Sequence, residues 1–122
     1  MKYLLIMNVN QETMAALTDE EREAIGNGHQ KFMDTIKQTG ELIVTQALAD
    51  PSNTVVVRAG QGAPVVTDGP FVESKEFMGG FYLVEVESKD RAVELATMIP
   101  DVRHDGFAVE VRPVMFSAGL EM

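Results

Sequence analysis

Apolar and polar residues follow different periods in different parts of the chain, and these periods predict its elements. Residues 3–9 are apolar at nearly every position, which is typical of a central strand buried on both faces. Residues 18–38 instead carry apolar side chains three, four and seven positions apart, which predicts an amphipathic helix. The helix begins at a capping box formed by Thr18 and Glu21, and it ends at Gly40.

The remaining apolar runs predict five strands and a second helix, separated by turn residues. The strands are expected at 41–49, 54–59, 64–67, 80–87 and 108–115. The second helix is expected to begin after Ser88 as its N-cap and to end near Ile99, because Pro100 follows. Pro113 places the far end of the last strand at a sheet edge. This order predicts a single α+β domain over residues 1–122, with an antiparallel split βαβ sheet and two helices on one face.

Two helices can cover only one face of such a sheet, yet three of the predicted strands carry apolar residues on both faces. These apolar runs are Leu4–Met7, Leu42–Val44 and Val55–Val57. We therefore expect the second face to be closed by another copy of the chain, in a homodimer or a larger assembly.

The composition excludes several classes of function. Nineteen acidic and ten basic residues give a net charge of −9, so the chain lacks the basic surface that binds nucleic acids and anionic membranes. It has two histidines and no cysteine, and it has no phosphate-binding loop, nucleophile elbow or metal-ligand spacing. We therefore expect no metal and no cofactor. The apolar start of the chain is too short for a signal peptide or a membrane span, which predicts a cytoplasmic protein.

Residues 67–76 and the pair Gly79–Gly80 form the most organised polar segment. The Asp-Gly-Pro sequence at its centre predicts a tight turn, in which the Asp68 side chain either bonds to the turn's own backbone or points toward a ligand. Glu73 and Lys75 belong to a run of charges that is either solvated or contacts a ligand. The glycine pair is either a bulge or a place where a ligand approaches the backbone. We treat this segment as a candidate site.

His29 lies on the apolar stripe of the first helix, four residues from both Ile25 and Met33. Its imidazole either transfers protons at the edge of a cleft or packs in the core against a backbone carbonyl. Gly26 and Gly28 are poor helix residues on either side of position 27. They indicate that the helix approaches a neighbouring segment closely or leaves room for a ligand.

Other polar side chains extend the set of candidates. His104 lies in a polar loop after the second helix, and loops carry a large share of functional residues. Glu110 and Arg112 share one face of the last strand, where they form a solvated surface, pair with each other or line a polar pocket. Tyr82 could place its hydroxyl at a pocket rim. The candidate ligand-binding residues are therefore Glu73, Lys75, Tyr82, His104 and Arg112.

The Asp-Gly-Pro-Phe segment makes the chain resemble the YCII-related family, in its DGPF-containing branch. The resemblance runs nearly from end to end. The stretches that carry it are Lys2–Leu5, Asp68–Phe71, Glu73–Glu76, Gly79–Tyr82 and Val109–Val114. This combination is far more specific than any one stretch. The resemblance implies a ferredoxin-like α+β fold that pairs face to face, as in the dimeric α+β barrel group.

The resemblance also implies a location for the site. Enzymes that share this architecture, such as muconolactone isomerase, use the cleft between sheet and helices for small molecules. YCII-like proteins have been proposed to use a His–Asp pair, and His29 matches the helix histidine. The aspartate is Asp68, which we prefer because of the longer motif around it, or Asp101, which follows the second helix. DGPF proteins also occur beside or fused to extracytoplasmic-function sigma factors, which implies a regulatory association.

Two functional classes follow from these observations. In the first, which we place slightly ahead, the cleft of a homodimer binds a small molecule or docks a protein, without chemistry. In the second, His29 is a general acid or base for a lactone or enol, and Asp68 or Asp101 orients it. Tyr82 or Arg112 would then stabilise an oxyanion. A hydrogen bond between His29 and a carboxylate beside an open pocket favours the enzyme.

Overall fold

A computed structural model describes residues 1–70 and 75–119 of the chain. Three helices and six strands are formed by these residues. In chain order they are β1 (Lys2–Asn10), α1 (Gln11–Ala16), α2 (Asp19–Gln38), β2 (Leu42–Ala47), β3 (Val55–Arg58), β4 (Val65–Asp68), β5 (Glu76–Glu85), α3 (Lys89–Ala96) and β6 (Phe107–Pro113). Short 3₁₀ helices cover Pro51–Asn53 and Pro100–Arg103.

Four of the strands form an antiparallel sheet in the order β2-β5-β1-β6. The first strand of the chain is therefore central, as its continuous apolar run predicts, and β6 is an edge strand, as Pro113 predicts. This α+β arrangement confirms the expected ferredoxin-like class. A bulge between Met7 and Asn8 shifts the pairing of β1 with β5 and lies beside the Gly79–Gly80 pair.

The two longer helices, α2 and α3, cover the same face of the sheet. Alternate β1 residues from Tyr3 to Val9 are buried on that face, where Leu5 is fully inaccessible. Phe32 and Ile36 of α2 and Leu95 of α3 pack into the same cluster. The opposite face of β1, which includes Leu4 and Ile6, is only half-buried.

The local start signals of both longer helices are confirmed. The Thr18 hydroxyl accepts from the Glu21 backbone N–H at 3.1 Å, and the Glu21 carboxylate accepts from the Thr18 backbone N–H at 2.9 Å. Ser88 caps α3 by accepting from the Arg91 backbone N–H at 3.1 Å. The last helix is shorter than expected, because it ends at Ala96 and a 3₁₀ helix follows at Pro100.

Strands β3 and β4 differ from the expected arrangement, because they pair with each other in a separate two-stranded hairpin. The three valines of β3 do not supply both faces of the main sheet. Val56 is 9% exposed, whereas Val55 and Val57 are 60% and 65% exposed. The run is therefore buried on one side only. A continuous apolar sequence does not distinguish a strand that is buried on one face from a strand that is buried on both.

The sequence did not predict the short helix α1. It begins at Asn10, whose side chain accepts from the Thr13 backbone N–H at 3.0 Å, and it ends before Leu17. Six residues are too few to show a repeating apolar stripe. Among the described helices, none is both long enough and apolar enough to cross a bilayer.

Candidate functional site

A cavity of about 470 Å³ lies between α2 and the helix-covered face of the sheet. Its wall is mainly apolar, with a few polar side chains at separate points. The apolar side chains that line it are Met7, Val9, Met14, Leu17, Ile25, Met33, Ala47 and Phe107. The polar ones are Arg22, His29, Thr45, Gln46, Tyr82 and Asp101. A mainly apolar pocket with few polar groups is the usual form of a small-molecule site.

His29 hydrogen bonds through both ring nitrogens. Its Nε2 lies 2.7 Å from Oδ1 of Asp101, and its Nδ1 lies 2.6 Å from the hydroxyl of Tyr82. The His29 side chain is 23% exposed, whereas the Asp101 side chain is 7% exposed. The three residues form a continuous chain of hydrogen bonds in the wall of the cavity. The alternative in which His29 packs against a backbone carbonyl is therefore wrong.

Asp101 lies close to His29 because the 3₁₀ helix that carries it packs tightly against α2. A Cβ atom on Gly28 would lie 2.9 Å from Cβ of Pro100, so only a glycine lets α2 approach the 3₁₀ helix this closely. Asp101 is the next residue after Pro100 and is 5% exposed. Of the two interpretations of the helix glycines, close approach applies to Gly28. Room for a ligand fits Gly26, whose Cβ would meet nothing within 4 Å and which lines the cavity.

Tyr82 reaches His29 from the sheet. It lies opposite Leu5 in the β1–β5 pairing, so its side chain is on the helix-covered face, and it is 2% exposed. Its ring meets the Phe32 ring edge-on at a centroid distance of 4.9 Å. The expectation of a hydroxyl at the pocket rim is corrected, since Tyr82 lies deep in the wall and is held by its neighbours.

Burial raises the pKa of the Tyr82 hydroxyl to about 12, and the nearby Asp101 carboxylate adds to this shift. The hydroxyl therefore keeps its proton at neutral pH and can donate a hydrogen bond. With a neutral imidazole, His29 donates from Nε2 to Asp101 and accepts from Tyr82 at Nδ1. With an imidazolium, both nitrogens donate, and the Tyr82 proton is released for another acceptor. The hydrogen bonds that join Tyr82, His29 and Asp101 thus give a proton a path from one side chain to the next.

The other sequence-predicted residues lie elsewhere. Asp68 is exposed on β4, in the separate hairpin, and is not part of the cavity wall. Arg112 pairs with Leu4, which places it on the face of the sheet opposite the cavity. Lys75 is exposed, and its backbone carbonyl accepts from the Gln11 backbone N–H at 2.7 Å. His104 stays outside the cavity wall, with its ring 5.9 Å from that of Phe107.

Glu73, in the block around Asp68, lies outside the described residues. Within the described part of that block, Gly79 lines the cavity and Gly80 makes a close backbone contact. A Cβ on Gly80 would lie 2.6 Å from the Gln46 carbonyl oxygen, which explains that glycine by strand packing.

Arg22 is a cavity residue that the sequence-based search missed. It lies seven residues before His29 on the cavity-facing side of α2. The signal was available, because residues at spacings of four and seven share a helix face with His29. Arg22 was overlooked because the helix was predicted from its apolar residues alone, and the polar residues on the same side were not considered.

No three His, Cys, Asp or Glu side chains within residues 1–70 and 75–119 come close enough together to hold a metal ion. The site is therefore built from an imidazole, a carboxylate, a phenol and a guanidinium in an apolar wall. Groups of these types are able to transfer protons and to bind oxygen atoms.

The fold and the cavity together define a small α+β domain with a histidine–carboxylate site between sheet and helices. Residues 1–116 match the YCII-related domain, so the chain belongs to that family. It is also 27% identical over 114 residues to an uncharacterized protein of Rhizobium meliloti (strain 1021), covering 93% of this chain and 92% of that protein. The family resemblance is thus confirmed, whereas the DGPF branch and the dimeric grouping stay predictions.

Proposed function

We propose that this chain is a small-molecule acid–base enzyme whose working groups are Asp101, His29 and Tyr82. The observation that supports it is the hydrogen-bonded chain of these three side chains in the wall of an apolar cavity. This reverses the slight preference that the sequence gives to binding without chemistry. A simple binding pocket does not need a buried carboxylate aligned behind an imidazole.

The proposed reaction moves a proton between two positions of a carbonyl compound. The Tyr82 hydroxyl takes a proton from a carbon next to the substrate carbonyl, and it passes its own proton to Nδ1 of His29. The electron pair of the broken C–H bond moves to the carbonyl oxygen, which gives an enolate. Asp101 stabilises the imidazolium that forms. The steps then reverse, with the proton delivered to a different atom of the substrate.

The raised pKa of Tyr82 explains why the proton must pass in one concerted movement. A tyrosinate is disfavoured beside the Asp101 carboxylate, since burial and the negative charge both raise the pKa. Transfer to His29 in the same movement avoids that charge. Tyr82 thus carries a proton between the substrate and the imidazole of His29.

The substrate class follows from the cavity. Its wall is mainly apolar and its volume of about 470 Å³ suits a small organic molecule. A carbonyl with an acidic neighbouring C–H is the group that the proton chain can act on. Lactones and oxo compounds meet both conditions, and enols are the tautomers that the proton movement interconverts with them.

The test is hydrogen–deuterium exchange in D₂O, followed by proton NMR on small lactones and on 4-oxo-4-phenylbutanoate. We expect the wild type to speed exchange next to the carbonyl. His29→Gln and Tyr82→Phe should each reduce the rate by about 100-fold or more. His104→Gln is the matched control, because this histidine is outside the cavity wall, and it should leave the rate unchanged.

Two results would contradict the proposal. One is exchange at the wild-type rate in His29→Gln. The other is a compound that binds the wild type in the cavity, carries an acidic C–H and shows no enhanced exchange. The second result would instead support the binding class.

We also propose that the chain forms a homodimer through the sheet face that no helix covers. Leu4, Val44 and Leu83 face the same way on three adjacent strands, and each is half-buried. A partly exposed apolar surface that spans adjacent strands is typical of an association site. The sigma-factor association and the cytoplasmic location stay predictions from the sequence, because no contact of the described residues bears on them.

A further inference from the structure

Arg22 is the one permanent cation that lines the cavity within the described part of the chain. Its Nη2 donates to the backbone carbonyl of Met14 at 2.6 Å, and its Nη1 lies 4.0 Å from the Met14 sulfur. It forms no salt bridge with any carboxylate among residues 1–70 and 75–119. A guanidinium has five N–H donors, so most of its capacity remains open to a ligand.

Arg22, Gly26 and His29 lie at spacings of four and three along one side of α2, and all three line the cavity. The step of seven positions from Arg22 to His29 covers about 10 Å of helix axis. Gly26 lies between them, and a Cβ there would meet nothing within 4 Å. A glycine inside a helix is unfavourable, and at this position no neighbouring atom requires it. Its lack of a side chain keeps the cavity open between the cation and the proton-transfer groups.

The charges at the two ends of this space are opposite in sign. Asp101 is an acidic group behind His29, and the chain as a whole carries a net charge of −9. An anionic ligand is therefore repelled at the His29 end, and Arg22 attracts it at the other end. Arginine binds carboxylates well because its planar fork matches the two oxygens.

We infer that the substrate of this site is a small organic carboxylate whose anion binds Arg22, with its apolar body across Gly26 and its reacting carbonyl beside His29 and Tyr82. This inference rests on the proposed function for the reacting end only. The preference for a carboxylate is a binding property and needs no turnover.

The test compares the binding of 4-oxo-4-phenylbutanoate with that of its carboxamide, by NMR titration at moderate ionic strength. The two compounds have nearly the same shape and differ in charge. We expect the wild type to bind the acid at least tenfold more tightly. Arg22→Gln keeps a donor for the Met14 carbonyl and removes the charge, so it should abolish the preference and change binding of the amide by less than twofold. Arg22→Lys should keep part of the preference.

Two further variants separate the ligand contact from a structural role. Arg103→Gln removes a cation that does not line the cavity and should leave the preference unchanged. Gly26→Leu fills the space between Arg22 and His29, so binding of both compounds should fall at least tenfold while the melting temperature is not lowered. Equal loss of acid and amide binding in Arg22→Gln would show a structural role and overturn the inference.

Further results also test the inference that the substrate is a carboxylate. Equal affinity of the wild type for acid and amide, or no binding of either at millimolar concentration, overturns the inference. His29→Gln should keep the preference for the acid although it loses exchange. Loss of exchange with the preference intact is therefore evidence about the proton relay alone, and exchange without a charge preference contradicts the carboxylate inference alone.

Discussion

Gly28 of α2 and Pro100 of the following 3₁₀ helix are in direct contact, and a Cβ atom on the glycine would lie 2.9 Å from Cβ of the proline. Because Asp101 follows Pro100, this contact determines how close the carboxylate comes to His29. The position next to His29 in sequence thus acts through packing and not through chemistry. Two residues earlier, Gly26 has open space in place of a neighbour.

Alanine at these two glycines should change stability in opposite directions. Gly28→Ala forces the rigid Pro100 ring to move, and we expect a loss of about 1–2 kcal/mol in the free energy of unfolding. Gly26→Ala adds a good helix residue without a clash, and we expect a gain of up to about 1 kcal/mol. Urea denaturation of the two variants and the wild type measures both changes in the free energy of unfolding.

The pair provides its own control, because both changes add one methyl group to the same helix. Gly28→Ala should also slow proton exchange, since the 3₁₀ helix must shift and take Asp101 with it. If the two variants have the same stability, the close contact with Pro100 has no energetic weight. That result would mean that this contact does not determine where Asp101 lies.

The choice between the two aspartates gives a second prediction. Asp101→Asn keeps the size of the side chain and removes the charge that stabilises an imidazolium at His29, so exchange should fall by about 100-fold or more. Asp68→Asn makes the same chemical change on the exposed hairpin and should leave exchange unchanged. Rates by proton NMR in D₂O check both variants. A larger loss in Asp68→Asn than in Asp101→Asn would contradict the assignment.

The strands and the two longer helices could be predicted from local signals, because caps, periodicity and turn residues act over a few positions. The pairing of segments that are distant in sequence could not be predicted in this way. The motif around Asp68 favoured that residue as the partner of His29, whereas the contact with Asp101 depends on how Gly28 meets Pro100. The valine run of β3 has the composition of a central strand, yet it pairs with β4 alone. Arg22 became a candidate only when the cavity showed which side of α2 faces it.

The uncovered face of the sheet gives a third prediction, on assembly. Leu83 lies opposite both Leu4 and Val44, near the middle of this face. We expect light scattering at micromolar concentration to give twice the 13.4 kDa of the chain for the wild type and the single-chain mass for Leu83→Lys. Val57→Lys is the matched control on the hairpin, where the valine is 65% exposed, and should keep the dimer. A wild type of single-chain mass would contradict the homodimer.

The buried hydroxyl of Tyr82 gives a prediction for alkaline pH. Its pKa is raised to about 12 in the folded chain, mainly by burial and further by the Asp101 carboxylate, whereas an unfolded tyrosine titrates near its ordinary pKa of 10.0. Between these values the unfolded chain binds fewer protons than the folded one, so the free energy of unfolding falls as the pH rises. The full contribution is present below about pH 10 and is lost as the pH approaches about 12, with a total of about 2–3 kcal/mol.

Tyr82→Phe removes this titration and leaves every other titrating side chain in place. At pH 7 the variant should be less stable than the wild type by about 1–2 kcal/mol, because Nδ1 of His29 loses its partner. Urea denaturation from pH 7 to pH 11 should show this deficit shrinking above about pH 10, where the wild type alone loses stability through Tyr82. Two curves that stay parallel over the whole range would mean that burial beside Asp101 does not raise the pKa of the Tyr82 hydroxyl.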